Sequence, residues 1–255
     1  MTQKKALLAV LLAVASATAT TASAAPASAT VDFSKGEEGW VGMQPADGNG
    51  GSGIDTGLGN GAPAYRTTME NFGIDWRNST NGAFLGDYTK SRSVTLGLDV
   101  SAMSIQYFGQ EVTRSLVVEL RDYDNKPANL PYTSVWFDLG TLDASNSDWK
   151  HFSVTIDDTS SSLLPSGWGG YGAEDGSGAP TLPGGRSFAS VLSSVDEIVF
   201  TTLKPGYAYG FTNFDVAIDN VSITAVPEPS TYGMLLGGMG LLGFIARRRQ
   251  RSDKA

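Results

Sequence analysis

Between about residue 30 and residue 226 the chain alternates apolar and polar positions in short runs, and the runs are separated by turn-forming residues. Ser93-Val94-Thr95-Leu96-Gly97-Leu98-Asp99-Val100 puts Val94, Leu96, Leu98 and Val100 on one face at period two, as in a half-buried strand. Leu116 to Leu120, Thr133 to Phe137, Phe152 to Ile156 and Ile198 to Thr202 read as further strands, rich in Val, Ile, Phe and Thr. Clusters of Gly, Asn, Asp, Ser and Pro divide them, as in Asp124-Asn125-Lys126-Pro127. Only Phe188 to Val195 suggests a helix, short and with Ser187 placed to cap it. Two Gly-rich stretches, Gly48 to Gly61 and Gly167 to Gly185, read as long surface loops. No βαβ alternation occurs, so the pattern predicts an all-β jelly-roll β-sandwich.

The last strand contains a phase change. Phe214, Val216 and Ile218 share one parity, whereas Val221 and Ile223 share the other. Burying all five requires one extra residue near Asp219-Asn220, which is a β-bulge. Val94, Leu96, Leu98, Val118, Leu120, Phe137, Val154, Ile198, Phe200 and Ile218 are the expected core.

The two ends follow other rules. Tyr232 to Ala246 is an uncharged apolar run, preceded by Val226-Pro227-Glu228-Pro229-Ser230 and followed by Arg247, Arg248, Arg249 and Arg251. Its fifteen residues would cover about 22 Å as a helix, against about 30 Å of bilayer hydrocarbon. Local thinning of the bilayer and snorkelling arginines can close that gap, and the basic cluster should stay cytoplasmic. At the other end Lys4 and Lys5 precede an apolar Ala6 to Val14 and then small residues. This is the layout of a secretory signal peptide, with an Ala-x-Ala site at Ala27-Ser28-Ala29 and a second at Ala22-Ser23-Ala24.

The Pro227-Glu228-Pro229, apolar and arginine tail resembles the PEP-CTERM sorting domain of Gram-negative bacteria. That resemblance implies an exosortase as partner, an inner-membrane anchored precursor, and a mature protein in the cell envelope or outside the cell. The expected organisation is residues 1–29 signal peptide, 30–225 β-sandwich, and 226–251 sorting signal with a transmembrane helix at 232–246.

Residues 30–226 hold 11 Lys and Arg against 24 Asp and Glu, a net charge of −13 for the exported body compared with −8 for the whole chain. Such a body repels nucleic acid and anionic lipid, and it is compatible with divalent cations and neutral glycans. The chain lacks cysteine, so no disulfide supports the fold.

Within the body, Val31-Asp32-Phe33-Ser34 with Gly39-Trp40 and the closing Ile218-Asp219-Asn220-Val221 resemble the first and last strands of carbohydrate-binding-module and galactose-binding-like jelly rolls. Ala83-Phe84-Leu85-Gly86-Asp87-Tyr88, Trp149 to Val154, and Ser187 to Ile198 resemble the laminin B (laminin IV type A) domain. Both families are binding or structural modules. The jelly-roll resemblance implies a structural calcium shared by Asp219 and an acid of the first strand. Ser34 stands where that acid is expected, which leaves Asp32, Glu37 or Glu38 as substitutes. Without the ion, Asp219 would cap the bulge through hydrogen bonds.

Catalytic constellations are mostly absent. His151 is the single histidine and reads as a strand-face residue; no G-x-S-x-G elbow accompanies it. Asp122 with Asp124, Asp157 with Asp158, and Glu174 with Asp175 read as turn acids. The expectation is a protein that is not an enzyme. Trp76, Tyr88, Trp168, Tyr171, Tyr207 and Tyr209 lie in or beside Gly-rich segments, where sugar rings could stack on them. Trp76, Trp168, Tyr171 and Tyr207 are the candidate glycan-binding residues, while Trp136 and Trp149 are assigned to the core. The expected function is an exported structural or adhesive protein; the alternatives are a glycan-binding module of an extracellular polysaccharide matrix and a glycoside hydrolase, which would need a convergent acid pair.

Overall fold

The structure is a computed structural model and describes residues 24–227, apart from 46, 47, 49, 62, 144 and 146. In chain order it contains β1 (Ala29–Val31), β2 (Trp40–Gly42), β3 (Gly50–Asp55), β4 (Ala64–Asn71), β5 (Asp75–Asn78), β6 (Ser91–Tyr107), β7 (Gln110–Glu111) and β8 (Arg114–Asp122). There follow β9 (Thr133–Leu142), β10 (Lys150–Ile156), β11 (Trp168–Tyr171), β12 (Ala173–Glu174), β13 (Pro180–Thr181), α1 (Phe188–Leu192), β14 (Glu197–Thr201) and β15 (Thr212–Pro227). One sheet has the order β10-β6-β15-β4-β3, with β1 beside the later half of β15 and β7 on the end of β6. The other has the order β11-β9-β8-β14-β5-β2. Inward residues of the two sheets, Leu96, Leu98, Val100, Ile218 and Ile223 from the first and Trp40, Trp76, Val118, Leu120 and Phe200 from the second, form one continuous core.

The predicted strands are present, extended at one or both ends, except that Ile198 to Thr202 is shifted one residue earlier as β14. The expected core positions Val94, Leu96, Leu98, Val118, Leu120, Ile198, Phe200 and Ile218 are completely buried, Val154 nearly so, and Phe137 is partly buried against the cluster. The bulge in β15 falls where the phase change requires it. Asp219 faces Asp99 and Ser222 faces Gly97, so β15 takes three steps while β6 takes two. Asn220 absorbs the extra residue at φ 49°, a left-handed conformation that Asn tolerates better than most residues. Ser187 caps α1, accepting from Ser190 N–H, and Phe188, Val191 and Leu192 enter the core.

The two glycine-rich stretches are not plain loops. Gly50–Asp55 is the edge strand β3, and Trp168–Tyr171 is β11. Glycine hides such strands from a reading based on β-propensity, because it is depleted in strands generally and used where a neighbour approaches closely. Trp149 lies just before β10 and is half-buried rather than core.

Both ends of the described chain meet at one end of the sandwich. Ala29 pairs with Ile223, and β15 continues until Pro227 pairs with Ser91. Residues 1–23 and 228–255, with the predicted apolar segment of the leader, Glu228, Pro229 and the predicted transmembrane helix, lie outside the described residues. Among the described residues no helix is long and apolar enough to cross a membrane.

Candidate functional site

The outer face of the six-stranded sheet carries a cluster of aromatic and charged side chains. Since Val118, Leu120, Val135, Ile198, Phe200 and Trp76 point inward, their strand neighbours point outward. One row of cross-strand partners across this face is Gly169, Trp136, Glu119, Val199, Arg77 and Val41. The row beside it is Tyr171, Ser134, Arg121 and Glu197.

At the centre lies a buried charge network. The Arg121 guanidinium donates to Glu119 Oε2 at 2.6 and 2.9 Å and to Glu197 Oε2 at 2.9 Å. Ser134 Oγ donates to Glu119 Oε1 at 2.5 Å, and Tyr123 OH donates to Glu197 Oε2 at 2.7 Å. The Arg121 guanidinium also sits 4.3 Å from the ring centre of Tyr132, a cation–π contact. Burial opposes the charge on Arg121, but Glu119 and Glu197 outweigh it and hold the guanidinium protonated far above its ordinary range. Burial, followed by the bond to Glu197, pushes the Tyr123 hydroxyl up to about 12. Arg121 therefore stays protonated and Tyr123 neutral at physiological pH, and the hydrogen bonds hold the network in place.

Aromatic rings surround this network. Tyr132 lies between Tyr123 and Tyr171, with centroids 5.7 and 5.2 Å away. Trp136 lies across the glycines of β11, donating its indole N–H to Gly170 O at 3.3 Å. A Cβ on Gly169 would sit 2.2 Å from the indole ring, so this close seat exists because residue 169 has no side chain. Lys204, anchored on Asp138 at 2.9 Å, places its ammonium 5.7 Å from the Trp136 ring and 4.9 Å from that of Tyr207. Asp75, on β5 of the same face, is 8% exposed, and its Oδ1 makes no hydrogen bond. Burial raises its carboxyl above the ordinary value.

Of the four aromatic candidates, the structure brings Tyr171 and Tyr207 to this face. Trp76 and Trp168 are corrected to core residues. Trp76 is fully buried and donates its indole N–H to Thr67 Oγ1 at 2.9 Å, while Trp168 packs on Phe137 and Phe188. Trp136 is the opposite correction: it leaves the core for the outer face, where it lies half-buried over the glycines of β11. Its parity with Ser134 and Asp138, opposite to buried Val135, was the available signal. Tyr88 is fully buried and donates to Phe84 O; Tyr209 lies half-buried beneath Arg114.

Of the acids named for calcium, Asp219 lies in β15 of the other sheet, and Asp32 and Glu37 lie in the connection from β1 to β2. Asp219 is fully buried; its Oδ1 accepts from Asn220 N–H and its Oδ2 from Asn60 N–H, both at 2.7 Å. Burial raises its carboxyl, and the neighbouring charges of Asp99 and Asp32 add to the rise. Asp32 accepts from both the N–H and hydroxyl of Ser34, which lower its carboxyl. Glu37 is exposed in the turn before β2. Asp99, beside Asp219, accepts from Asn60, Asn220 and His151 side chains at 2.8, 2.9 and 2.7 Å. Among the described residues no group of three or more His, Asp or Glu side chains is arranged to hold a metal ion. Asp122, read as a solvated turn acid, is instead fully buried and closes its turn by accepting from Asp124 and Asn125 N–H while pairing with Arg186.

The chain is thus an all-β, jelly-roll β-sandwich protein. Residues 225–250 match the PEP-CTERM protein-sorting motif, the mark of an exported protein sorted by way of the membrane. No curated protein matches the chain. Among solved structures it is similar to a family 11 carbohydrate-binding module from Clostridium thermocellum in complex with a β-1,3-1,4-mixed-linked tetrasaccharide, at 12% identity and TM-score 0.47, covering 80% of this chain and 99% of that one. A family 30 module of a cellulosomal cellulase of Clostridium thermocellum matches at 16% identity and TM-score 0.40, covering 80% and 96%. A carbohydrate esterase from the Shiga toxin-encoding bacteriophage phi24B matches at 13% identity and TM-score 0.41, covering 81% and 100%.

Proposed function

We propose that this protein is a non-catalytic, exosortase-processed adhesin that binds extracellular polysaccharide on the outer face of its six-stranded sheet, after a transient stay as an inner-membrane anchored precursor. The observation that carries the reading is the Trp136 platform. The indole is seated on Gly169 and Gly170, and a preorganised guanidinium–carboxylate network lies beside it. A pyranose ring presents C–H bonds on one face and hydroxyls around its edge, so it needs an aromatic plane next to fixed donors and acceptors. Trp136, Tyr171 and Tyr207 supply the planes. Lys204 and the Arg121 guanidinium, 20% and 13% exposed, supply polar groups beside them.

The carboxylates Glu119 and Glu197 are both tied to Arg121. That arrangement suits hydrogen bonding to a ligand better than a pair poised to act as acid and nucleophile, which favours binding over hydrolysis. The test is affinity electrophoresis of the exported protein through a panel of matrix polysaccharides. Wild type should be retarded by at least one of them, and Trp136→Ala should lose about 2 kcal/mol of binding, roughly 30-fold in Kd, as for a central aromatic anchor. Unchanged retardation of Trp136→Ala, with the thermal melt preserved, would remove this face from the account.

A further inference from the structure

The two cleavage sites named above, after Ala24 and after Ala29, are not distinguished by sequence alone. The folded body distinguishes them. Residues 24–28, which a cut after Ala29 would discard, are built into the sandwich. Pro26 is buried. Ala27 N–H donates to Ala83 O at 3.1 Å, and Asp87 N–H donates to Ala24 O at 2.8 Å. Ser28 Oγ accepts from Ala225 N–H at 3.1 Å, linking this segment to the closing strand. Ala29 itself opens β1 and pairs with Ile223.

We infer that the leader is removed at the Ala24–Ala25 bond, so that the mature chain begins Ala25-Pro26-Ala27. Water adds across that amide. The leader departs with the Ala24 carboxylate, and the body keeps a new α-ammonium on Ala25. Ala22 and Ala24 supply the small side chains that the peptidase requires three residues and one residue before the cut. This cut gives up one of the described contacts, the bond from Asp87 N–H to Ala24 O. Cutting after Ala29 would expose Ala83 O and Asp87 N–H, strip Pro26 from its site and leave β1 with two residues. Separation from an apolar core and loss of buried backbone partners are both costly, so residues that fill such a site belong to the mature domain. The same end of the sandwich also carries Pro227, the last described residue before the sorting tail. Both processing events therefore act at one pole of the molecule, immediately beside folded structure.

The inference rests on the export reading, and its experiment separates the two. The full chain is expressed in an exporting Gram-negative host, and the protein outside the cytoplasm is subjected to N-terminal sequencing. A sequence starting Ala25-Pro26-Ala27 is expected. A start at Ser28 or Thr30 would overturn the assignment while leaving export intact, and a start at Met1 would overturn both. Ala24→Leu should accumulate uncut precursor, whereas Ala29→Leu should be processed as wild type. The reverse pattern would place the cut after Ala29.

Discussion

On the six-stranded sheet the buried carboxylates Glu119 and Glu197 are held by a guanidinium; on the seven-stranded sheet Asp99 and Asp219 are held by amides. Arg121 neutralises its partners and projects from the strand itself, and Tyr123 and Tyr132 of the β8–β9 connection close over the network. Aromatic rings occupy the remaining outer face. The amides that hold Asp99 and Asp219 come partly from the loop containing Asn60, which is thereby fixed over the β15 bulge. The first solution leaves a patterned surface facing outward; the second consumes the surface to secure the chain. The two faces of one sandwich thus hold buried carboxylates in two different ways. Buried charge is tolerable on either because each carboxylate has hydrogen-bond partners.

The largest effect should come from removing the guanidinium. Arg121→Ala leaves Glu119 and Glu197, 3% and 8% exposed, without a counter-charge, and should cost about 3–5 kcal/mol by chemical denaturation. A cost below 1 kcal/mol would mean that solvent already reaches the network, and the contrast between the faces would fail. On the other sheet, Asp219→Ala removes the acceptor of two backbone N–H groups and should cost about 1–3 kcal/mol. It should leave polysaccharide binding unchanged. Since both oxygens already accept backbone N–H groups, the loss should be equal with and without a chelator; a chelator-dependent loss would bring calcium back as the partner of Asp219 and Asp32.

A subtler change sharpens the binding side. Gly169→Ala drives a methyl into the Trp136 ring and should cost about 1 kcal/mol of stability through crowding, with a several-fold loss of polysaccharide retardation. Retention at wild-type strength would show that the seat of the indole does not matter.

The smallest effect separates the faces by pH. Asp75 has a carboxyl raised above its ordinary 3.8 by burial, so the folded state holds its proton longer than the unfolded chain. Its contribution is most favourable below about pH 4 and declines as pH rises from there through the folded value. At Asp99 burial acts upward, but the bonds from Asn220, Asn60 and His151 together prevail and lower the carboxyl. Its contribution is present above 3.8 and is lost as pH falls through the folded value. Urea midpoints between pH 3 and 7 should therefore respond oppositely: Asp75→Asn flattens a decline, and Asp99→Asn flattens a rise. Parallel changes in the two variants would contradict the signs assigned to the two faces.

The candidate site was only partly legible beforehand. Tyr171 and Tyr207 could be marked because they lie in glycine-rich sequence, and both reach the site. Trp168 lies in the same sequence yet enters the core, because the stretch is a strand and its parity points inward. Trp136 was assigned inward although it alternates with buried Val135. Bulk and hydrophobicity suggested core, and the strand's parity decided otherwise. Arg121, Glu119 and Glu197 lie on two strands 76 residues apart at their contact, a pairing that only the sheet order creates.

What the sequence determined by itself is everything that follows from neighbours along the chain. The period-two strands, the phase change at Asp219-Asn220, the Ser187 cap and the tripartite sorting tail all arise from local sterics, local hydrogen bonding or segment hydropathy. Tertiary structure decided which strand face meets the opposite sheet and which loop lies over which carboxylate. It also made a strand of Trp168-Gly169-Gly170-Tyr171, whose glycines supply no propensity of their own and gain their conformation from pairing with β9. Alternation gives every strand two faces, but long-range packing chooses which one water sees.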